Sequence, residues 1–360
     1  MKKVIALLIV VLLLQGGKVY AQTEMMQAYD YEFDAAGDSF ADNTRRIAAG
    51  ETVFSFRSVF EKVLSLVRAQ GMDTLSLLLK IVAVSILFAV LTNMQNSLEA
   101  PHIRDTVFFV CYIVICGFAA DAFAAAAKSF ESAVGAGVAF MNGCVPILTG
   151  LLLASGKTAL ASGINPVILA GCALLGNAVR LLIVPLLHSI AALGMVSNVS
   201  TNVSVSSLVA FLKKLVRWSL CFLLTAFSGL LAVQGFGSGA LDAMTAKTAR
   251  YVVSNGVPVV GGILSDTLET VVSSAQVIKG ATGAAGVIAL FSVCLSPIVQ
   301  IAMTSLMFHL AAAVIEPVAD KRIVSAVGTL SDVLSLMLGV LCAIFVMFVI
   351  CVSMLMHIGG

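Results

Sequence analysis

Residues 241–283 read L-D-A-M-T-A-K-T-A-R-Y-V-V-S-N-G-V-P-V-V-G-G-I-L-S-D-T-L-E-T-V-V-S-S-A-Q-V-I-K-G-A-T-G, and this stretch organises the chain on either side of it. It combines charged residues with Gly and Pro, yet it lies between two apolar runs that are long enough to cross a bilayer. In lipid, irregular backbone persists only where protein or water satisfies its polar groups. We therefore predict a re-entrant turn here, and a complete crossing would add to the number of spans.

The composition places the whole chain in a membrane. Of its 360 residues, 60% are hydrophobic and only 11% are charged, whereas soluble domains have about 25% charged residues. The formal net charge of +2 gives no clustered basic face for nucleic acid. All eight cysteines lie in or beside apolar runs without a C-x-x-C pair, so they are read as packing residues and neither a disulfide framework nor a metal site is predicted.

The first 74 residues differ from the remainder. Residues 1–21 have the basic start, short apolar core and small-residue cut site of a secretory signal peptide, with an uncleaved anchor as the alternative. Residues 22–74 form an extracytoplasmic polar segment in which nine acidic residues face five basic ones. The spacing of apolar residues over 53–67 predicts an amphipathic helix that lies on the membrane or on a partner.

Residues 75–360 read as an all-α polytopic membrane domain. We count six spans, at 75–92, 107–127, 164–194, 217–236, 283–315 and 333–358, and up to eight if the broken segments also cross. Residues 132–154, which are Gly-rich and contain Pro146, form the second segment of this broken kind. The basic residues near 213–217 and 321–322 are expected in the cytoplasm, which agrees with an extracytoplasmic start.

The sequence of the second half of the domain resembles that of the first half. Asp121 and Asp242, His188 and His309, and Cys221 and Cys342 are each separated by 121 residues. An N-G-C-V-P motif ending at Pro146 also resembles the N-G-V-P motif ending at Pro258. We predict a duplication with repeat units at about 104–227 and 228–350, although chance similarity between apolar sequences is the alternative. Such repeats are common in transport proteins, whose sites lie between the copies at broken helices.

Candidate functional or structural residues follow from charge inside apolar runs and from the broken segments. Arg180 is the strongest candidate, because ionisable groups inside a membrane are functional candidates by default. Its structural interpretation, an ion pair with Asp121 or Asp242 or an interhelical hydrogen bond, is favoured over transport. The full set is Asp121, Asn142, Pro146, Arg180, Asp242, Asn255, Pro258, Gly261, Gly262, Asp266, Glu269, Glu316 and Pro317.

Catalysis has no positive support in the sequence. Asp266 and Glu269 are one helical turn apart, but this spacing usually marks a solvated face. No zinc-protease, nucleophile-elbow, Walker or dinucleotide motif is present. We predict no catalytic residue, cofactor or metal.

Several motifs together resemble the stage III sporulation protein AE family. They are Thr225–Gly235 (T-A-F-S-G-L-L-A-V-Q-G), Asn255–Asp266 (N-G-V-P-V-V-G-G-I-L-S-D), Gln276–Gly283 (Q-V-I-K-G-A-T-G) and Ala311–Ile323 (A-A-A-V-I-E-P-V-A-D-K-R-I). The resemblance covers most of the chain after about residue 70, and residues 22–70 contain no motif that resembles the family.

The resemblance implies a role in endospore formation. Members are multi-pass subunits, in the mother-cell membrane around the forespore, of a secretion-like channel complex needed for late forespore development. The implied partners are other stage III sporulation A-group proteins, including an ATPase and ring-forming subunits, a forespore protein across the intermembrane space, and the lipid bilayer. The sequence alone leaves a stand-alone secondary transporter or permease as the alternative, and an intramembrane enzyme as a third interpretation.

Overall fold

The computed structural model describes residues 43–47, 49, 56–96, 101–154, 158–197, 206–256 and 261–357. The signal peptide and most of the polar segment therefore lie outside the described residues. Within these ranges the chain is almost entirely helical and contains no strand, which confirms an all-α membrane fold. The helices are α1 (Phe56–Asn96), α2 (Pro101–Ala154), α3 (Thr158–Ala178), a π-helical turn (Val179–Ile183), α4 (Val184–Ser197), α5 (Ser206–Gly256), α6 (Gly261–Ile315) and α7 (Lys321–His357).

Six stretches of the described chain are long and apolar enough to span a membrane, as predicted. Each contains one of the six expected spans or most of it, but extends further along its helix. The stretches are Val59–Leu91, Thr106–Ala154, Pro166–Ser197, Ser206–Ala232, Gln276–Ile315 and Lys321–Met356.

The expected break at Pro146 is absent, because α2 continues through it as a single helix of 54 residues. Residues 107–127 and 132–154 are thus one helix, and the prediction of a separate broken segment was wrong. Proline removes the hydrogen bond to the carbonyl four residues earlier, here that of Asn142. Neighbouring helices let membrane helices tolerate this loss. At about 1.5 Å per residue, α2 is about 80 Å long, more than twice the roughly 30 Å of a hydrocarbon core.

Residues 241–283 are helical on both sides of their centre. Residues 241–256 complete α5, and residues 261–283 begin α6. The described parts of this segment are therefore helical, and a re-entrant turn between them stays a prediction. The end of α5 at Gly256 agrees with the preference of helix ends for glycine. Pro258 follows closely and disfavours helical geometry in the residue before it. Residues 257–260 lie outside the described residues.

The amphipathic helix expected over 53–67 is part of α1, which runs without interruption from Phe56 into the first span. Val59, Val63 and Val67 are half-buried, whereas Phe60 and Leu64 are exposed. The prediction of a helix is therefore confirmed from residue 56 onward. Its placement on the membrane or on a partner stays a prediction.

Contacts between helices fix their directions. Phe291 and Phe345 pack with ring centroids 6.0 Å apart, so α6 and α7 run antiparallel, as a second contact near Ser305 and Ser335 confirms. By contrast, α5 and α7 are parallel and in register. Lys213 contacts Asp332 and Ser228 contacts Met347, and the two residues of each pair are 119 positions apart.

The beginnings of α2 and α7 lie together, because the Arg322 guanidinium stacks 3.6 Å from the centroid of the Phe108 ring. The beginning of α5 lies at the same end, since Lys213 contacts Asp332 in the first half of α7. The basic residues near 213–217 and 321–322 therefore share one end of the bundle. A duplication with the 121-residue offset would have parallel copies, because the helices that this offset pairs, α5 and α7, run in the same direction.

A short turn reverses the chain between α6 and α7 within the A-A-A-V-I-E-P-V-A-D-K-R-I motif. Helix α6 ends at Ile315, immediately before Glu316 and Pro317, since a proline disfavours continued helix in the residue before it. Asp320 then caps α7, as its Oδ1 accepts the Arg322 backbone N–H at 2.9 Å. The Arg322 side chain also pairs with the Asp320 carboxylate at 3.3 Å.

Candidate functional site

A buried polar seam joins α6 to α7. Ser305 Oγ lies 2.8 Å from Ser335 Oγ, and Ser331 Oγ donates to the Ser305 carbonyl at 3.0 Å. His309 Nδ1 lies 3.0 Å from the same carbonyl and also contacts Ser331 Oγ. Because a carbonyl only accepts, Nδ1 carries the hydrogen in this arrangement. Ser331 has no exposed surface, and a buried hydroxyl without a partner is costly, so these hydrogen bonds hold the helices in register.

Next to the seam, charged residues of α5 face α7. Lys213 Nζ and Asp332 Oδ2 form an ion pair at 2.8 Å, with 18% and 60% of the respective side chains exposed. Arg217 lies one helical turn further along α5, on the same face as Lys213. It lines a groove of about 430 Å³ together with Val216, Leu220, Asp332, Ser335, Leu336, Gly339 and Val340. Ser335 thus belongs both to the wall of this groove and to the buried seam.

A second polar space lies among α1, α2 and α6. This cavity of about 270 Å³ is lined by Gln70, Thr74, Leu77, Ala122, Ala125, Gln300 and Thr304. Its polar lining is uncharged and consists of amides and hydroxyls. Ser129 Oγ donates to Gln300 Oε1 at 2.7 Å, whereas the buried Gln70 Oε1 has no hydrogen-bond partner in the described part of the chain. An orphaned acceptor beside such a cavity is suited to a water or another small neutral donor.

His188 and His309 have the same local arrangement. His188 Nδ1 lies 2.9 Å from the Val184 carbonyl, as His309 Nδ1 does from that of Ser305. The His188 ring also packs edge-on against Phe123, with centroids 5.4 Å apart, and its Nε2 has no partner among the described residues. Both histidines are therefore hydrogen-bonded within their own helix, and His309 also contacts Ser331 on α7.

Arg180 lies in the π-helical turn, where Val184 N–H donates to Val179 O, five residues earlier. Pro185 follows directly and has no N–H to continue an α-helical pattern, which accounts for a wider turn at this point. Arg180 is exposed, and Leu181 beside it is 80% exposed. No described residue, Asp121 included, forms an ion pair with Arg180. The alternative of an ion pair with Asp121 is therefore excluded, since Arg180 lies on the outside of the bundle. A pairing with Asp242 stays a prediction, because the Asp242 side chain lies outside the described part of the chain.

The remaining predicted residues whose surroundings the structure describes do not converge on one site. On α2, Asp121, Asn142 and Pro146 are exposed, and Glu316 and Pro317 are exposed in the α6–α7 turn. Six others belong to helices, but their surroundings lie outside the described part of the chain: Asp242, Asn255, Gly261, Gly262, Asp266 and Glu269. Pro258 lies outside the described residues altogether.

The seam, the ion pair and the cavity were missed by sequence reasoning. A signal was present in Gln300 and Asp332, which are polar residues inside apolar helices. In the described ranges no group of three or more His, Cys, Asp or Glu side chains could hold a metal ion. The cysteines there form no disulfide, and most of them are buried.

Comparison with known proteins assigns this chain to a protein family. A family model described as stage III sporulation protein AE matches residues 39–359. The chain belongs to this family. The stage III sporulation protein AE of Bacillus subtilis (strain 168) is 24% identical over 311 residues, which cover 86% of this chain and 78% of the relative. No solved structure matches the chain. The match confirms the resemblance drawn from the motifs and supports a sporulation role for this membrane protein.

Proposed function

We propose that this chain is a non-enzymatic membrane subunit of a channel complex that links the mother cell and the forespore. The observation that carries the proposal is the family match over 39–359, since it supports a role in stage III of sporulation. The partners we propose are the other A-group proteins of that stage, including an ATPase and ring-forming subunits, and a forespore protein across the intermembrane space.

The outer surface of the bundle supports an assembled subunit. Arg180 is exposed between apolar residues of a span, with Leu181 and Leu182 exposed beside it. Charged side chains inside membrane spans almost always face protein, water or a partner group. We infer that a neighbouring subunit covers this surface, so that Arg180 is buried only in the complex.

We propose that the basic end of the bundle faces the mother-cell cytoplasm. The cationic residues near 213–217 and 321–322 share that end, and cytoplasmic ends of membrane proteins are enriched in Lys and Arg. The beginning of α1 and the ends of α5 and α7 then face the intermembrane space. In a growing cell, this side corresponds to the outside.

Cysteine labelling tests this orientation. In a variant without the eight native cysteines, Ser254→Cys at the end of α5 and Lys321→Cys at the start of α7 would be exposed to a membrane-impermeant maleimide on intact vegetative cells. We expect labelling at position 254 and protection at 321 until the cells are permeabilised. Labelling at 321 with protection at 254 would reverse the orientation.

Co-purification tests membership in the complex. An affinity-tagged chain, extracted from sporulating cells in mild detergent, should retain the ATPase and the ring-forming proteins. Arg180→Leu should release them, whereas Lys128→Leu, which removes an exposed charge from α2, should not. Purification of the wild-type chain alone from membranes that contain the partners would refute the proposal.

A second candidate, a secondary transporter, is favoured by the uncharged polar cavity among α1, α2 and α6. Polar groups near the middle of a bundle are typical of solute sites in transporters. Reconstitution of the purified chain in liposomes separates the two functions. The transporter would be favoured by solute uptake that needs no other protein and that is lost in Gln70→Leu. The control is Ser189→Ala, which alters an exposed serine of α4 away from the cavity and should keep the uptake.

A further inference from the structure

We propose that the groove between α5 and α7 binds an anionic phospholipid, with its phosphate on Arg217 and an acyl chain along the apolar floor. The inference rests on the chain spanning a membrane with its basic end at the cytoplasmic side, as proposed above. It is independent of the channel complex, so the failure of either proposal leaves the other in place.

Charge at the mouth of the groove is the first argument. Asp332 is held by Lys213 at 2.8 Å, which leaves no described carboxylate in an ion pair with Arg217. Lys214, next to Lys213, is also exposed and forms no ion pair within the described chain. Arg217 therefore leaves one positive charge in the groove lining that no described carboxylate pairs with, and Lys214 adds a second exposed cation nearby on α5. Basic pockets between membrane helices on the cytoplasmic side are suited to anionic lipid headgroups.

The position of this mouth along α5 is the second argument. Large apolar side chains are exposed on both sides of it, with Phe211 before and Phe222 after. Trp218, the only tryptophan in the chain, directly follows Arg217 and is 73% exposed. Tryptophan is enriched at the boundary between headgroups and hydrocarbon. A cation at that depth lies level with lipid phosphates.

The shape of the groove is the third argument. Away from the charges, its walls are mostly apolar, formed by Val216, Leu220, Leu336 and Val340 together with the hydroxyl of Ser335. Gly339 lies in the same lining, and a Cβ added there would meet no atom within 4 Å. This leaves an open trough beside the charged mouth. A polar mouth with an apolar trough matches a molecule that has an anionic head and a hydrocarbon tail, and it fits inorganic phosphate or an acidic peptide less well.

Native mass spectrometry of the full chain, released from detergent micelles with added lipid, tests the proposal. We expect the wild type to retain phosphatidylglycerol over phosphatidylcholine. Arg217→Gln should lower phosphatidylglycerol retention about fivefold, in line with the effect of one cation near a charged membrane surface. Lys128→Gln removes one positive charge at an exposed position of α2, and it should leave phosphatidylglycerol retention unchanged.

Two further measurements distinguish a bound lipid from other ligands. Gly339→Leu fills the trough without changing the charge, and it should lower the retention of phosphatidylglycerol. Excess inorganic phosphate should not displace the bound lipid. Equal retention of the two lipids by the wild type, unchanged retention in Arg217→Gln, or displacement by phosphate alone would each overturn the proposal.

Discussion

Gly194 on α4 lies so close to Thr329 on α7 that a Cβ at position 194 would come within 2.5 Å of Thr329 Cγ2. The Thr329 hydroxyl donates to the Ser325 carbonyl at 2.8 Å, which holds the side chain in its rotamer. Glycine therefore sets the distance between these two helices. Small residues allow this kind of close approach between helices in membranes.

Gly194→Ala should destabilise the protein by about 1–3 kcal/mol, because overpacking forces the two helices apart. Thermal unfolding of the purified protein in detergent measures the loss. Gly117→Ala is the matched control, since an added Cβ there meets nothing within 4 Å. Thr329→Ser keeps the hydroxyl and removes Cγ2, so the double variant should recover most of the stability. A double variant no more stable than Gly194→Ala would show that the contact does not limit packing.

Removing the hydroxyl of Ser331 should cost about 1 kcal/mol, since its hydrogen bond to Ser305 is buried between α6 and α7. The Ser331→Ala variant is compared with Ser325→Ala, which alters an exposed serine on the same helix. We expect the midpoint of thermal unfolding to fall only in the first variant. Equal midpoints would mean that the seam contributes nothing measurable to stability.

The ion pair between Lys213 and Asp332 should contribute less than about 1 kcal/mol, because Asp332 is largely exposed and exposed pairs are weak. A double-mutant cycle with Lys213→Gln and Asp332→Asn measures the coupling energy directly. Raising the salt concentration should reduce it further. A coupling of several kcal/mol, unaffected by salt, would indicate that this pair is buried in the folded protein.

Replacing Arg180 with leucine should leave the isolated protein within about 0.5 kcal/mol of the wild-type stability, as for most surface changes. We expect the stability to be unchanged because the Arg180 side chain is exposed on the π turn. Spore yield should nevertheless fall, because the proposed neighbouring subunit would lose a charged contact. Arg180→Lys, which retains the charge, is the informative control and should give an intermediate yield. An unfolded Arg180→Leu protein would place the side chain inside the bundle instead.

Hydropathy predicted the spans well, because about twenty consecutive apolar residues have few alternatives to a membrane helix. It could not predict where each helix ends. Pro146 reads as a break in isolation, yet α2 continues through it, since the cost of a lost backbone hydrogen bond depends on what packs around it. Sequence position correctly placed Arg180 within a span, but it could not predict that the side chain lies on the outer surface of the bundle.

The polar seam shows a different limit of sequence reasoning. Ser292 donates to the Ile288 carbonyl of its own helix, whereas Ser305 contacts Ser335 on the next helix. Both serines lie in the same apolar run of α6. Only the packing of α7 distinguishes a serine whose hydroxyl bonds a carbonyl of its own helix from one whose hydroxyl joins two helices. The family, by contrast, followed from ordered motifs that the comparison confirmed.

The shared register of α5 and α7 restricts how this bundle could move. Their two contacts, at Lys213 with Asp332 and at Ser228 with Met347, are 15 residues apart on each helix, or about 22 Å. Sliding one helix past the other by a turn, about 5.4 Å, would break both contacts at once. Pivoting about one contact would break only the other. Any gating motion of these two helices should therefore be a hinge rather than a piston.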